Sequence, residues 1–297
     1  MHEYVNFKYG TVAKKGGVTM KMSSLVKIAV FILMLIGAHV MLGMTCNRVQ
    51  SQYEDLFPPG NTSLNLAIWV VGSILLSALI SGLVVALVRP LWIIALGFFL
   101  SSLAMLLAWG TNIYSALASL IYLLIAIRFS RTVVDEIKVR LNFSVKPIQQ
   151  EQNLLLFGLA LMIGAGFALG YQDAARRSGE LIPPAYKQKI TDSITRTVQA
   201  QLERQSGLGQ VENAIVLQGM QQAVEKLWTQ ADTLLKPYAS YLPFVIGALL
   251  VWLLNTLLGF IGWLPPRLLS GIIPLLKGIG VTHEVVETKE ALRLVLD

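Results

Sequence analysis

Residues 66–88 read LAIWVVGSILLSALISGLVVALV, a run with no charged side chain. About 20 predominantly apolar residues in a helix cross the hydrocarbon of a bilayer, so this run is long enough to span a membrane. Within it Ser73, Ser77 and Ser81 recur every fourth residue. Small residues at that spacing form one helix line along which another backbone can approach closely.

Working outward, charges are also missing from 90–127, 152–172 and 237–266. The 297-residue chain is 55% apolar and only 14% charged, against about 25% charged in ordinary globular chains. The expectation is an all-α, multi-pass bundle with spans at 25–44, 66–88, 91–109, 113–127, 153–171 and 242–263. Residues 25–171 form one transmembrane block, and the sixth span stands apart from it. The apolar run after Lys27 ends at Thr45-Cys46, which resembles a lipoprotein signal in outline. It is long for a signal peptide and has Thr before the cysteine, so a retained helix is expected.

The net charge of +7 has an explanation in topology rather than nucleic acid. With the N-terminus in the cytosol, the inward segments are 1–24 with Lys27, the Arg89-Pro90 turn, the loop 128–151 and 264–297. They hold most of the 24 Lys and Arg, while the short outward loops hold only Arg48, as the positive-inside rule requires. Both termini are therefore expected in the cytosol, with the chain in the plasma (inner) membrane. Alternation of Val139, Leu141, Phe143 and Val145 with polar residues suggests a half-buried strand, or an amphipathic helix at the lipid surface. The segments 4–9 and 292–296 are also strand-like. Residues 267–280 are apolar, too short to cross, and interrupted by Pro274, which suggests an interfacial elbow.

The one long polar interval, 172–241, separates the fifth span from the sixth and is expected to be an extracytoplasmic helical hairpin. Its first helix, about 184–205, carries a stripe that drifts around its surface, and Ser206-Gly207-Leu208-Gly209 breaks the chain. The second, 211–236, is strongly amphipathic. Leu217, Met220, Val224, Leu227, Ala231 and Leu234 alternate spacings of three and four, as in a coiled-coil seam, and Trp228 and Leu235 widen the stripe. These eight residues are the candidate interaction face. The first expectation is an antiparallel pair of helices burying each other. The alternative is that the second helix, with a wider apolar face than the first can cover, also packs against a partner besides the lipid bilayer: a second copy or another membrane or extracytoplasmic protein. No nucleic acid is expected.

Chemistry-bearing motifs are sparse. His2, His39 and His283 have no metal-pair spacing, and Cys46 is the single cysteine. No phosphate-cradling glycine loop or nucleophile elbow occurs. No catalytic residue, metal or cofactor is expected. His39, within the first span, is read as a packed polar group sharing a hydrogen bond with a neighbouring helix, and Asn255 in the sixth as interhelical glue. In the fifth span Gly164 lies on one small-residue line with Ala160 and Ala168, and Gly166 and Gly170 on another. The favoured function is a non-enzymatic scaffold or assembly component. A channel or passive transporter lined by Ser, Thr and Gly comes second, and an intramembrane enzyme last.

Overall fold

The computed structural model describes residues 22–53, 61–139, 144–182, 184–204 and 210–281. The protein is all-α, and six of its helices are long and apolar enough to cross a membrane. These are α1 (Met22–Ser51), α2 (Asn61–Leu87), α3 (Leu91–Trp109), α4 (Ile113–Val139), α5 (Lys146–Ser178) and α8 (Leu242–Ile261). Between the last two in sequence come α6 (Pro184–Arg204) and α7 (Gln210–Leu235), and α9 (Leu264–Gly278) follows. The chain is a multi-pass helical membrane protein.

Successive spans run in opposite directions, with α1 and α5 near the middle of the bundle. The two pack on each other; α1 also packs on α2 and α3, and α5 on α4 and α8. Leu35, Leu42, Ile74, Ile94, Phe98, Tyr122, Phe129, Leu155 and Leu159 are fully buried between the helices. Leu33, Ile68, Leu107, Leu124, Trp252 and Phe260 point outward and are exposed. In water such a surface would drive association. In a bilayer it is the face that lipid tails cover.

Three spans run further than the charge pattern implies: α1 continues past the expected end at 44, through Arg48, to Ser51, and the others are α4 and α5. α4 passes Arg128 and continues to Val139, so the first half of the expected 128–151 loop is helix. The reason is helical periodicity: Ala126, Phe129, Ser130, Val133, Val134 and Ile137 are all buried on one face. Arg131 and Lys138 flank Asp135 on the exposed side, at N···O distances of 4.0 and 3.4 Å. Val139 is helical, which removes it from the expected strand. The rest of that alternation falls partly on 140–143, and the strand-like segments 4–9 and 292–296 also lie outside the described residues. α5 likewise extends past Tyr171 to Ser178, taking the first residues of the polar interval. It ends where Gly179 turns into the left-handed region at φ +70°, its N–H donating to the Ala175 carbonyl at 3.0 Å, a glycine C-cap.

The elbow after α8 is a helix. Pro265 and Pro266 occupy the first turn of α9, where their missing N–H groups cost nothing. Leu269 of α9 is fully buried, its Cδ1 only 2.7 Å from where a Cβ on Gly82 would sit. The ammonium of Lys27 donates to the carbonyls of Gly280 and Val281 at 3.3 and 2.9 Å, which ties the start of α1 to the end of α9.

Candidate functional site

The stripe on α7 divides into two parts once α6 is in place. Val224 is buried, and Met220, Trp228, Ala231 and Leu235 are half-buried. The Trp228 indole N–H donates to the Thr191 hydroxyl of α6 at 3.3 Å. These residues lie on one helix line. Leu227 and Leu234 sit roughly 70° around from it, and they remain 62% and 73% exposed. The Leu217 side chain lies outside the described residues. The predicted stripe is therefore only partly covered. On α6, Ile190 and Ile194 are also more than a third exposed, at 37% and 38%.

Electrostatics at the base of the pair were not visible in the sequence. Lys187 of α6 is hydrogen-bonded to Asp232 of α7 and, at 2.8 Å, to Glu180. Asp232 also accepts the backbone N–H of Ile182 at 3.1 Å, and the Tyr171 hydroxyl donates to the Leu181 carbonyl. The segment after α5 is thus held from both sides. Partial burial opposes the charge on Lys187, but the hydrogen bonds and charges of Asp232 and Glu180 outweigh it and hold the ammonium above its ordinary pKa. Lys187 and Asp232 are 45 positions apart, so no local pattern announces the pair.

Inside the membrane block His39 is fully buried. Its Nδ1 lies 2.8 Å from the Leu35 carbonyl. A carbonyl only accepts, so Nδ1 carries a proton, and in the neutral ring Nε2 accepts from the Tyr122 hydroxyl of α4. Ser81 adjoins the same phenol, and Phe98 presents an edge-to-face ring at 6.3 Å. His39 thus shares a hydrogen bond with a neighbouring helix.

Most buried serines spend their hydroxyls on backbone. Ser73 donates to the Val70 carbonyl at 3.0 Å, Ser77 to Ala38 of α1 at 3.3 Å, and Ser102 to Ser119 of α4 at 3.1 Å. The Ser119 hydroxyl itself has no partner among the described residues. Among those residues, too, no three His, Cys, Asp or Glu side chains converge as metal ligands would.

The small-residue lines of α5 face different neighbours. A Cβ on Gly166 would lie 3.0 Å from the Cys46 carbonyl oxygen of α1, and one on Gly170 would meet Gln50 of the same helix and Tyr53 just after it. Gly164 instead faces α8, where a Cβ would come within 2.9 Å of the Gly247 carbonyl oxygen. Ala168 stands beside it on the same contact. Within one chain Asn255 meets no neighbouring helix: it is exposed on the outer side of α8, because the inward line of that helix is taken by Gly247, Leu250, Leu254 and Leu258. Comparison with protein-family models, with curated proteins and with solved structures finds no match for this chain.

Proposed function

We propose that the protein is a non-enzymatic scaffold or assembly component of the plasma (inner) membrane. Both termini lie in the cytosol, and α6 and α7 form an extracytoplasmic hairpin that docks a partner protein. The observation that carries this reading is the exposure of Leu227 and Leu234 on a helix outside the six spans. Two leucines a heptad apart, left bare beside a covered line, are what a helix needs to receive a further helix or groove. The orientation is supported by Lys27, Arg131, Lys138, Arg267 and Lys277 of α1, α4 and α9 and by Arg89 between α2 and α3, against Arg48, Arg176 and Arg177 at the opposite ends of α1 and α5.

A photo-crosslinking residue placed at Leu227 or Leu234 in living cells tests the docking face, with Gln222 on the polar side as control. Adducts of one size from both leucines and none from Gln222 are expected. No adduct at either leucine would overturn the reading. Impermeant thiol labelling tests the orientation in a Cys46→Ser background: Lys187→Cys should label in intact cells and Arg131→Cys only after lysis.

A second reading, a channel or passive transporter, is favoured by the buried serines of the bundle, including the Ser81 hydroxyl beside Tyr122 and the Ser119 hydroxyl, neither with a hydrogen-bond partner among the described residues. Pores are lined by polar groups that continue across the whole span. Solute flux from liposomes loaded with small neutral and ionic tracers separates the two readings: flux above protein-free controls favours the pore.

A further inference from the structure

The outer face of α8 carries a polar group that lipid cannot satisfy. Its 20 residues span about 30 Å at 1.5 Å per residue, the thickness of the hydrocarbon core. Asn255 lies six residues before the end of this helix at Ile261, roughly 9 Å inside it, so its amide is within hydrocarbon. It is exposed and makes no hydrogen bond among the described residues. The adjacent Thr256 avoids the same problem by donating its hydroxyl to the Trp252 carbonyl at 2.9 Å. An asparagine amide has two donors and an acceptor, so a backbone carbonyl one turn back could take one N–H and would still leave the other N–H and the oxygen unsatisfied.

Val245, Ala248, Trp252, Asn255 and Gly259 are all exposed, and they follow one another at intervals of three, four, three and four. That is the period of a two-helix seam. Nothing lies within 4 Å of a Cβ placed on Gly259, which leaves room for a close backbone approach one turn beyond the amide. Tyr238 and Tyr241, just before α8, continue the spacing and are 62% and 69% exposed.

We infer that α8 pairs with α8 of a second copy of this chain, in parallel across a twofold axis along the membrane normal, with Asn255 bonded to its counterpart. Two copies inserted in the same orientation place this residue at the same depth, and an amide is complementary to itself. A polar asparagine at one position of an otherwise apolar seam fixes register and favours pairs, and the twofold makes the surface self-complementary. This surface lies within the membrane, and its assignment does not rest on the reading of Leu227 and Leu234.

Disulfide trapping tests it in native membranes, in a Cys46→Ser background with copper phenanthroline as oxidant. Ala248→Cys on the seam should give dimers, while Leu253→Cys, exposed but off the seam, should give none. Adding Asn255→Leu should lower the trapped fraction at least ten-fold, and Asn255→Gln should preserve most of it. Independently, the fluorescently labelled wild-type chain, diluted in lipid vesicles to less than one dimer per vesicle, should bleach in two steps. Equal trapping at both sites, a cross-link to a different protein, insensitivity to Asn255→Leu, or single-step bleaching would each overturn the inference.

Discussion

Gly247 of α8 and Gly164 of α5 meet backbone to backbone: a Cβ added to Gly247 would lie 2.9 Å from the Gly164 carbonyl oxygen and 2.9 Å from the Ala168 Cβ. This contact seats the sixth span, which is separated in sequence from the other five by α6 and α7. It leaves one line of α8 buried and the rest outward.

Gly247→Ala should therefore force the two helices apart, at a cost of about 1–3 kcal/mol, the range of overpacked interiors. Gly72→Ala supplies the control, since a Cβ there meets nothing within 4 Å. It should be neutral to within about 1 kcal/mol. Thermal unfolding of the detergent-solubilised protein reads the difference, and equal losses in the two variants would argue against the close contact.

The division of the α7 stripe predicts unequal costs along it. Val224 is buried and Leu227 is not, so Val224→Ala should destabilise the α6–α7 pair by about 2 kcal/mol. Leu227→Ala should change stability by no more than about 0.5 kcal/mol. Hydrogen exchange of the α6 and α7 amides is the measurement. Faster exchange in the Leu227 variant than in the Val224 variant would show that the wrong line has been assigned to α6.

Lys187 gives the same pair a dependence on alkaline pH. Its pKa is raised in the folded protein by Asp232 and Glu180. The charged form is thus favoured by folding, and the stabilisation is fully present below the unfolded value near 10.5. It is lost as pH rises through the higher folded value. Asp232→Asn should reduce that alkaline loss, leaving only the part due to Glu180, and weaken the pair at neutral pH by about 1–2 kcal/mol. An unchanged alkaline transition in the variant would assign it to another group.

Much of the bundle is legible in the sequence because hydrocarbon tolerates few charges, so α2, α3 and α8 are bounded by charges and prolines and, at the end of α3, by the Gly110 turn. The ends of α4 and α5 are not legible that way. Beyond Arg128 and Tyr171 each helix carries charges yet keeps winding, held by buried positions such as Val133 and Ile137 at helical spacing. Residues 164, 166 and 170 could be read as packing lines, but not which helix each line would meet. The α7 stripe was visible, whereas its division at Leu227 depends on where α6 lies. Asn255 could be read as a polar group that joins helices, but not which face of α8 it lies on. The glycine contact at 247 turns it outward.

The last prediction concerns His39, whose hydrogen bond to Tyr122 joins α1 to α4 across 83 residues of chain. If that bond is structural, Tyr122→Phe leaves a buried ring nitrogen without a partner and should cost about 1–3 kcal/mol. His39→Gln keeps a side chain that both donates and accepts while removing titration near neutral pH. It should retain more of the stability than His39→Leu, which leaves the Tyr122 hydroxyl unsatisfied. Thermal unfolding of the three variants orders them, and any transport found in liposomes should keep its pH profile in His39→Gln. A folded His39→Gln protein whose activity has lost its pH dependence would instead make the His39–Tyr122 pair part of a proton path.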